Sequence, residues 1–338
     1  MMKKILCLLL SLIFILTSCK AETDKSETSS PNNQSSSEEA FSDVSSEEEE
    51  SSDSSEELIL SVTDKSKYEA NLKRTGTYTG REKLPKLELV ATDPDNERGL
   101  SETFHGYSFG VAKNGKAHQT SLNHQANFDS KNYNALTVDT ITEEKVLYLT
   151  FDCGYEAGYT STILDILKEK NVQATFFCTL HMIKSRPELI ARMIEEGHIV
   201  ANHSVNHYSM PTIDRETMVE EILGVENYLR EYFGYSSPYF RFPAGEYSDN
   251  SLDLVTEIGF RSVFWSVAYA DYDVNNQPGR KVAFDTVTAR LHPGAVILLH
   301  NVSSSNTEAL GDIIDEAEDQ GYAFVSLDEY TGWRDRDY

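Results

Sequence analysis

From Val146 to the C-terminus, short apolar runs of strand length alternate with amphipathic stretches of helical length, and this order restricts the possible folds more than any other feature of the chain. The runs fall at 146–152, 173–179, 198–203, 238–243, 261–267, 295–300 and 322–327. Such alternation marks βα units whose strands lie parallel. Seven parallel strands with helices between them predict an α/β fold, an irregular or incomplete (β/α) barrel, although an open doubly wound sheet has the same local pattern. Two helix boundaries can be read directly. Ser185-Arg-Pro-Glu188 has the form of a capping box with proline in the first turn. Asp214 is a good N-cap for a stretch in which Met218, Ile222, Val225 and Leu229 recur at helical spacing until Gly234. Residues 58–145 lack the alternation and carry short aromatic runs and turn signals. They are expected to form an N-terminal extension that packs on the barrel of residues 146–338 and shapes one lip of its site.

The ends of the chain have a different character. Lys3 and Lys4 precede an apolar stretch from Ile5 to Leu16, the pattern of a secretory signal and too short for a comfortable membrane span. The run closes on Leu16-Thr-Ser-Cys19, which resembles a bacterial lipobox. Residues 1–18 are therefore expected to be removed, leaving Cys19 acylated and the protein extracytoplasmic, held to the membrane by a lipid. Residues 19–57 are expected to be a disordered acidic tether. From Lys20 to Glu57 there are thirteen acids, two lysines and almost nothing apolar, too little to offset the entropy of ordering. This segment carries much of the formal net charge of −25. An acidic chain without a basic stripe argues against a nucleic-acid partner. Beyond the signal and Cys19 only Cys153 and Cys178 remain, so disulfides do not build this fold. A monomer is expected.

In a barrel of parallel strands the working groups project from the C-terminal strand ends. Those ends read Asp152-Cys153, then Asn202-His-Ser-Val-Asn-His207, Arg241-Phe-Pro-Ala-Gly245, Ala268-Tyr-Ala-Asp271 and His300. Five of seven strand ends thus carry an ionisable or metal-binding group. His203 and His207, at i and i+4, can point two imidazoles at one cation if the backbone turns helically.

This set of motifs, in this order from about Thr103 onward, resembles the polysaccharide deacetylases, metal-dependent N- or O-deacetylases on an irregular (β/α) barrel. The stretches Thr150–Tyr159 and Phe264–Gln277 are similar to the subgroup of delta-lactam-biosynthetic de-N-acetylases, which remove acetyl from N-acetylmuramic acid in spore cortex peptidoglycan. The resemblance implies that Asp152 takes a proton from water, that Arg241 holds Asp152 ionised, and that His300 is the general acid oriented by Asp271, with Asp273 the weaker candidate for that role. It also implies a divalent metal, zinc by preference, on His203 and His207, an oxyanion donor in the backbone near Tyr155, and substrate contacts from Pro243 and Gly245. Tyr155 and Tyr247, on site loops, are candidates to stack on a sugar. Cys153 stands where the wider family carries a second aspartate. It could complete a His2Cys zinc site, leave a two-histidine site completed by water or substrate, or bridge to Cys178, and nothing nearby supplies the base a cysteine nucleophile needs. The remaining histidines, His105, His118, His124, His181, His198 and His292, are expected to be surface or core residues, and Trp265 a packing residue. The expected activity is hydrolysis of acetyl amides on a peptidoglycan glycan strand, at muramic acid first. The competing readings are deacetylation of N-acetylglucosamine or another polysaccharide, and an inactive glycan-binding lipoprotein.

Overall fold

The strand β3, Val146–Cys153, is the centre of the molecule, and seven of its eight residues are buried. A parallel strand covered on both faces needs side chains that suit two interiors, and period-two alternation supplies them. Leu147, Leu149, Phe151 and Cys153 join the core between sheet and helices. Tyr148, Thr150 and Asp152 face the other way, with Tyr148 in the inner core. In this computed structural model residues 81–334 are described, all within the compact unit Glu56–Tyr338. The signal, the tether with Cys19 and the first part of the extension therefore lie outside the described residues.

On one side β3 pairs in parallel with β4, Thr175–Cys178, which continues through β5, Ile199–Asn202, and β6, Tyr239–Phe240, to β8, Arg261–Val263. On the other side it pairs with β9, Ala295–His300. Just past β8, Val267 forms a parallel bridge to Ile297 of β9, so the sheet curls back on itself as an irregular barrel. The last strand, β10 at Ala323–Phe324, pairs with the start of β3. All seven expected strands are present. Several are shorter than their apolar runs because the chain leaves the ladder early, as at Pro243–Gly245, where β6 gives way to a turn of 3-10 helix.

Apart from this sheet, two short strands, β1 at His105–Gly106 and β7 at Glu246–Tyr247, pair antiparallel. The main sheet has an eighth strand. β2, Ala135–Leu136, pairs in parallel with β8, so the boundary expected at residue 145 cuts through the barrel. Two residues are too few to show a period, which is why this strand is silent in the sequence. A helix at Gln119–Ser130 precedes it, and its buried Gln125 donates to the Ala135 carbonyl at 3.0 Å and accepts from the Thr137 N–H at 2.7 Å. Upstream, the extension packs on the helix Arg215–Phe233. The Leu84 N–H donates to the Arg230 carbonyl at 2.9 Å, and the buried Arg215 guanidinium ties the Thr92 carbonyl to Glu257. That helix starts on Asp214, whose carboxylate accepts from the Thr217 N–H at 2.7 Å, and stops at Gly234 with φ +55°. The capping box expected at Ser185 does not form. Ser185 closes the preceding helix Leu180–Ser185, and Arg186 caps Pro187–Glu195 without a side-chain bond. Among the described residues no helix is long and apolar enough to cross a membrane.

Candidate active site

The strand ends open on one cavity of about 770 Å³, whose wall includes Asp152, Tyr155, His203, His207, Trp265 and His300. Asp152 and His300 are paired across the β3–β9 ladder, and this places the carboxylate and the imidazole on neighbouring strands at the same height. Arg241 lies beneath them, fully buried. Its Nη1 donates to Asp152 Oδ1 at 2.7 Å, Nη2 to Thr150 Oγ1 at 2.9 Å, and Nε to the Val263 carbonyl at 2.8 Å. Burial pushes the Asp152 carboxyl upward, but the Arg241 guanidinium, with His203 and His300, outweighs it, so Asp152 titrates below the ordinary carboxylate range.

His300 is tuned the other way. Its Nδ1 bonds Asp271 Oδ1 at 2.7 Å, while Asp271 Oδ2 accepts from the His300 backbone N–H at 2.8 Å and from Asn306 Nδ2. Burial would lower the imidazolium, but the hydrogen bond and charge of Asp271 prevail, and His300 titrates above the ordinary histidine. Asp273 bonds only within its own exposed loop, through the Asn275 N–H at 2.9 Å, so Asp271 is the residue the fold brings to the site.

His203 Nδ1 lies 2.9 Å from the Arg241 carbonyl, which can only accept, so Nδ1 carries the proton and Nε2 presents a bare lone pair. Burial drives this imidazole down to about 4 against the pull of Asp152, so it is neutral at physiological pH. Its Nε2 stands 3.6 Å from Asp152 Oδ2, lone pair facing carboxylate, which calls for a cation or a donor between them. The His207 ring lies edge-on to it, 4.8 Å between centroids. The rings converge without the helical turn that their spacing suggests. Ser204 and His207 both adopt left-handed φ, +68° and +59°, and the His207 N–H donates to Ser204 Oγ at 2.9 Å, folding the loop back on itself. Among the described residues no three His, Cys, Asp or Glu side chains are arranged to hold a metal ion. The two converging imidazoles are the donors that a divalent cation would meet here.

The match of a family model, described as polysaccharide deacetylase, covers residues 139–263. A peptidoglycan-N-acetylmuramic acid deacetylase, PdaA of Bacillus subtilis, is 43% identical over 216 residues, 62% of this chain and 82% of the relative. The chain belongs to the polysaccharide deacetylase family. A peptidoglycan-N-acetylglucosamine deacetylase of Bacillus cereus is 33% identical over 187 residues, 53% of this chain and 66% of the relative. The solved structure of B. subtilis PdaA, described as a family 4 carbohydrate esterase, superposes with a TM-score of 0.64 at 39% identity, covering 68% of this chain and 98% of that one.

Within this deacetylase the fold brings together Asp152, Arg241, His203, His207, Asp271, His300 and Tyr155, and leaves other expected residues apart. Cys153 is the main correction. Alternation along β3 turns it away from Asp152 into the sheet–helix core, where it is fully buried, absent from the cavity wall and in register with Cys178. Burial, with the neighbouring Cys178 thiol, raises its pKa well above that of a free cysteine, the opposite of what a thiolate ligand requires. Both thiols are free, so the bridge is also not formed. Tyr247 is a second correction. Its ring stacks on His105 and meets Phe128 and Phe264 edge-on, its hydroxyl lies 3.3 Å from His124 Nδ1, and it does not line the cavity. Pro243 and Gly245 are buried and do not line the cavity, whose wall takes Ala244 between them instead. Gly245 has φ +67°, and a Cβ there would come within 2.8 Å of the Trp265 ring, so the glycine permits a close approach and does not itself contact substrate. Trp265, expected to pack, does so against Tyr107 and Phe109 but also lines the cavity.

Sequence reading missed Phe109, Tyr269, Tyr272 and Arg290 on the cavity wall. Tyr272 follows Asp271 and could have been found by adjacency. Phe109 and Arg290 sit on connecting segments outside any motif. Asn301 was also missed, and its Nδ2 fixes the turn after β3 by donating to the Tyr155 carbonyl and to Thr160 Oγ1, each at 2.9 Å.

Proposed function

We propose that this deacetylase hydrolyses the acetamide of N-acetylmuramic acid in peptidoglycan, outside the cytoplasm, from a lipid anchor at Cys19 that places it on the membrane. The observation that carries the chemistry is the opposite tuning of two groups in one cavity, an Asp152 held ionised by Arg241 and a His300 whose protonated form is favoured by its bond to Asp271. Such a pair divides base and acid roles between neighbouring residues. A divalent cation, zinc by preference, would be held by His203 and His207 and would supply Lewis-acid polarisation of the acetyl carbonyl. Asp152 accepts a proton from the water that attacks the carbonyl carbon, and Arg241 keeps it ionised and aimed. The turn pinned by Asn301 presents the Gly154–Tyr155 backbone to the developing oxyanion. As the C–N bond breaks, His300 gives its proton to the leaving nitrogen and Asp271 holds the imidazolium in place. The products are acetate and a free amine on the sugar. The choice of muramic acid rests on the 43% identity to the muramic acid deacetylase. N-Acetylglucosamine is the competing sugar, favoured by the 33% identical relative.

The test incubates purified protein, supplied with zinc, with peptidoglycan whose stem peptides have been removed, and measures acetate release and the mass of each sugar after digestion. Free amine on muramic acid is expected. Amine confined to glucosamine reverses the substrate choice, and no acetate from either sugar ends the reading.

A further inference from the structure

Among the described residues the cavity wall holds one carboxylate, Asp152, already matched by Arg241, and one imidazole, His300, already matched by the buried Asp271 behind it. Arg290 brings a guanidinium to the same wall with no carboxylate among the described residues to answer it. Its Nη1 donates to the Ala268 carbonyl. That bond anchors the guanidinium and leaves its other N–H donors available to a ligand. The setting makes this notable, because acids outnumber bases 55 to 30 in this chain. Arg98, Arg192, Arg215, Arg230, Arg280 and Arg334 all find a carboxylate within the chain. Phe109, Trp265, Ala268 and Leu298 share the wall with Arg290 and keep its surroundings apolar, where a charge-assisted bond is worth more than in water.

We infer that Arg290 is a specificity-determining residue that binds a carboxylate carried by the substrate sugar. This rests on the muramic acid reading. Muramic acid and glucosamine differ by a lactyl ether, whose carboxylate is free when no peptide is attached to it. A planar guanidinium fits a carboxylate bidentately, and a neutral glycan offers it nothing comparable. The acetate product carries the same chemistry, so the experiment must separate the two sources.

The experiment compares wild type, Arg290→Gln and Arg290→Lys, all full-length and zinc-loaded, on three glycans: stem-stripped muramic acid strands, the same strands with the lactyl carboxylate converted to its methylamide, and N-acetylglucosamine oligomers. Losing one charged hydrogen-bonding partner is expected to lower kcat/KM of Arg290→Gln on free-carboxylate strands about ten- to a hundredfold. Arg290→Lys should recover part of this, and wild type on the methylamide should fall to the level of Arg290→Gln, which should gain nothing from the free acid. Equal losses on all three glycans would make Arg290 a structural support of the Ala268 loop and overturn the inference. So would unchanged selectivity in Arg290→Gln, or an effect confined to inhibition by added acetate. If wild type leaves muramic acid untouched, the function proposal fails first, and that result is visible before any variant is made.

Discussion

Replacing Asp271 with asparagine tests the acid half of the proposed mechanism. The carboxylate is fully buried and holds His300 by a 2.7 Å bond to Nδ1, while its second oxygen accepts the His300 backbone N–H and Asn306. In Asp271→Asn the amide oxygen must stay on the side of those two donors, so the NH2 group faces Nδ1. The imidazolium, a donor at both nitrogens, then meets a donor. A hydrogen bond to a charged group contributes about 1.5–3 kcal/mol, and one pKa unit corresponds to about 1.4 kcal/mol, so the His300 pKa should fall by roughly one to two units. The folded pKa is raised, so the protonated acid is present below it and lost as pH rises through it. The alkaline limb of kcat/KM should therefore move to lower pH by that amount, with the acid limb unchanged. Acetate release measured across the pH range, with an NMR titration of the His300 ring in both proteins, reads the shift. A uniform drop in rate with the alkaline limb in place would refute the reasoning and reduce Asp271 to a support of its loop.

Three further outcomes follow from the same geometry. Arg241→Met leaves the buried Asp152 without its cation, which should cost about 3–5 kcal/mol of stability at neutral pH, with much of the loss recovered in the Arg241→Met, Asp152→Asn double variant; urea denaturation measures both. The Asp152 pKa is lowered in the fold, so its contribution is present above the unfolded carboxyl pKa and disappears as pH falls through the folded one, and the stability gap between wild type and Arg241→Met should narrow in acid. Cys153→Ala removes a core thiol, not a ligand, and is expected to leave the metal content of the purified protein unchanged while lowering stability by about 1 kcal/mol; loss of bound metal in an elemental analysis would restore the thiolate ligand. Chelation should abolish acetate release and zinc should restore it, while His207→Ala should weaken zinc binding in a titration without unfolding the protein, because that ring is exposed on its loop.

What the sequence disclosed and what it hid divide along a physical line. The strands that carry Asp152 and His300 were legible because a buried parallel strand is an unbroken apolar run, and the polar residue ending it stands out. Their pairing across β3 and β9 was not, because these are the first and sixth of the seven expected strands and a regular closed barrel would set the first beside the last. The two histidines were recognisable as a pair, but the means of their convergence was not, because left-handed φ at Ser204 and His207 carries no signature in residues other than glycine and asparagine. The eighth strand and the cavity wall from Phe109 were hidden because each belongs to a segment too short to be periodic. Cys153 was misplaced for a different reason. It stands where the family it resembles carries a second aspartate, and a ligand role was one of the readings that position offered, whereas in this strand the residue after Asp152 points to the other face. The same alternation predicts what an aspartate would meet at position 153 in this chain. Its carboxylate would enter the sheet–helix core next to Cys178, and the Arg241 guanidinium is already engaged by Asp152, so the burial would cost several kcal/mol unless β3 turns at its last residue. An aspartate at this position reaches the cavity only if β3 ends or bulges at its last residue, and Cys153→Asp, followed by stability and zinc titration together, tells a buried charge from a rebuilt site.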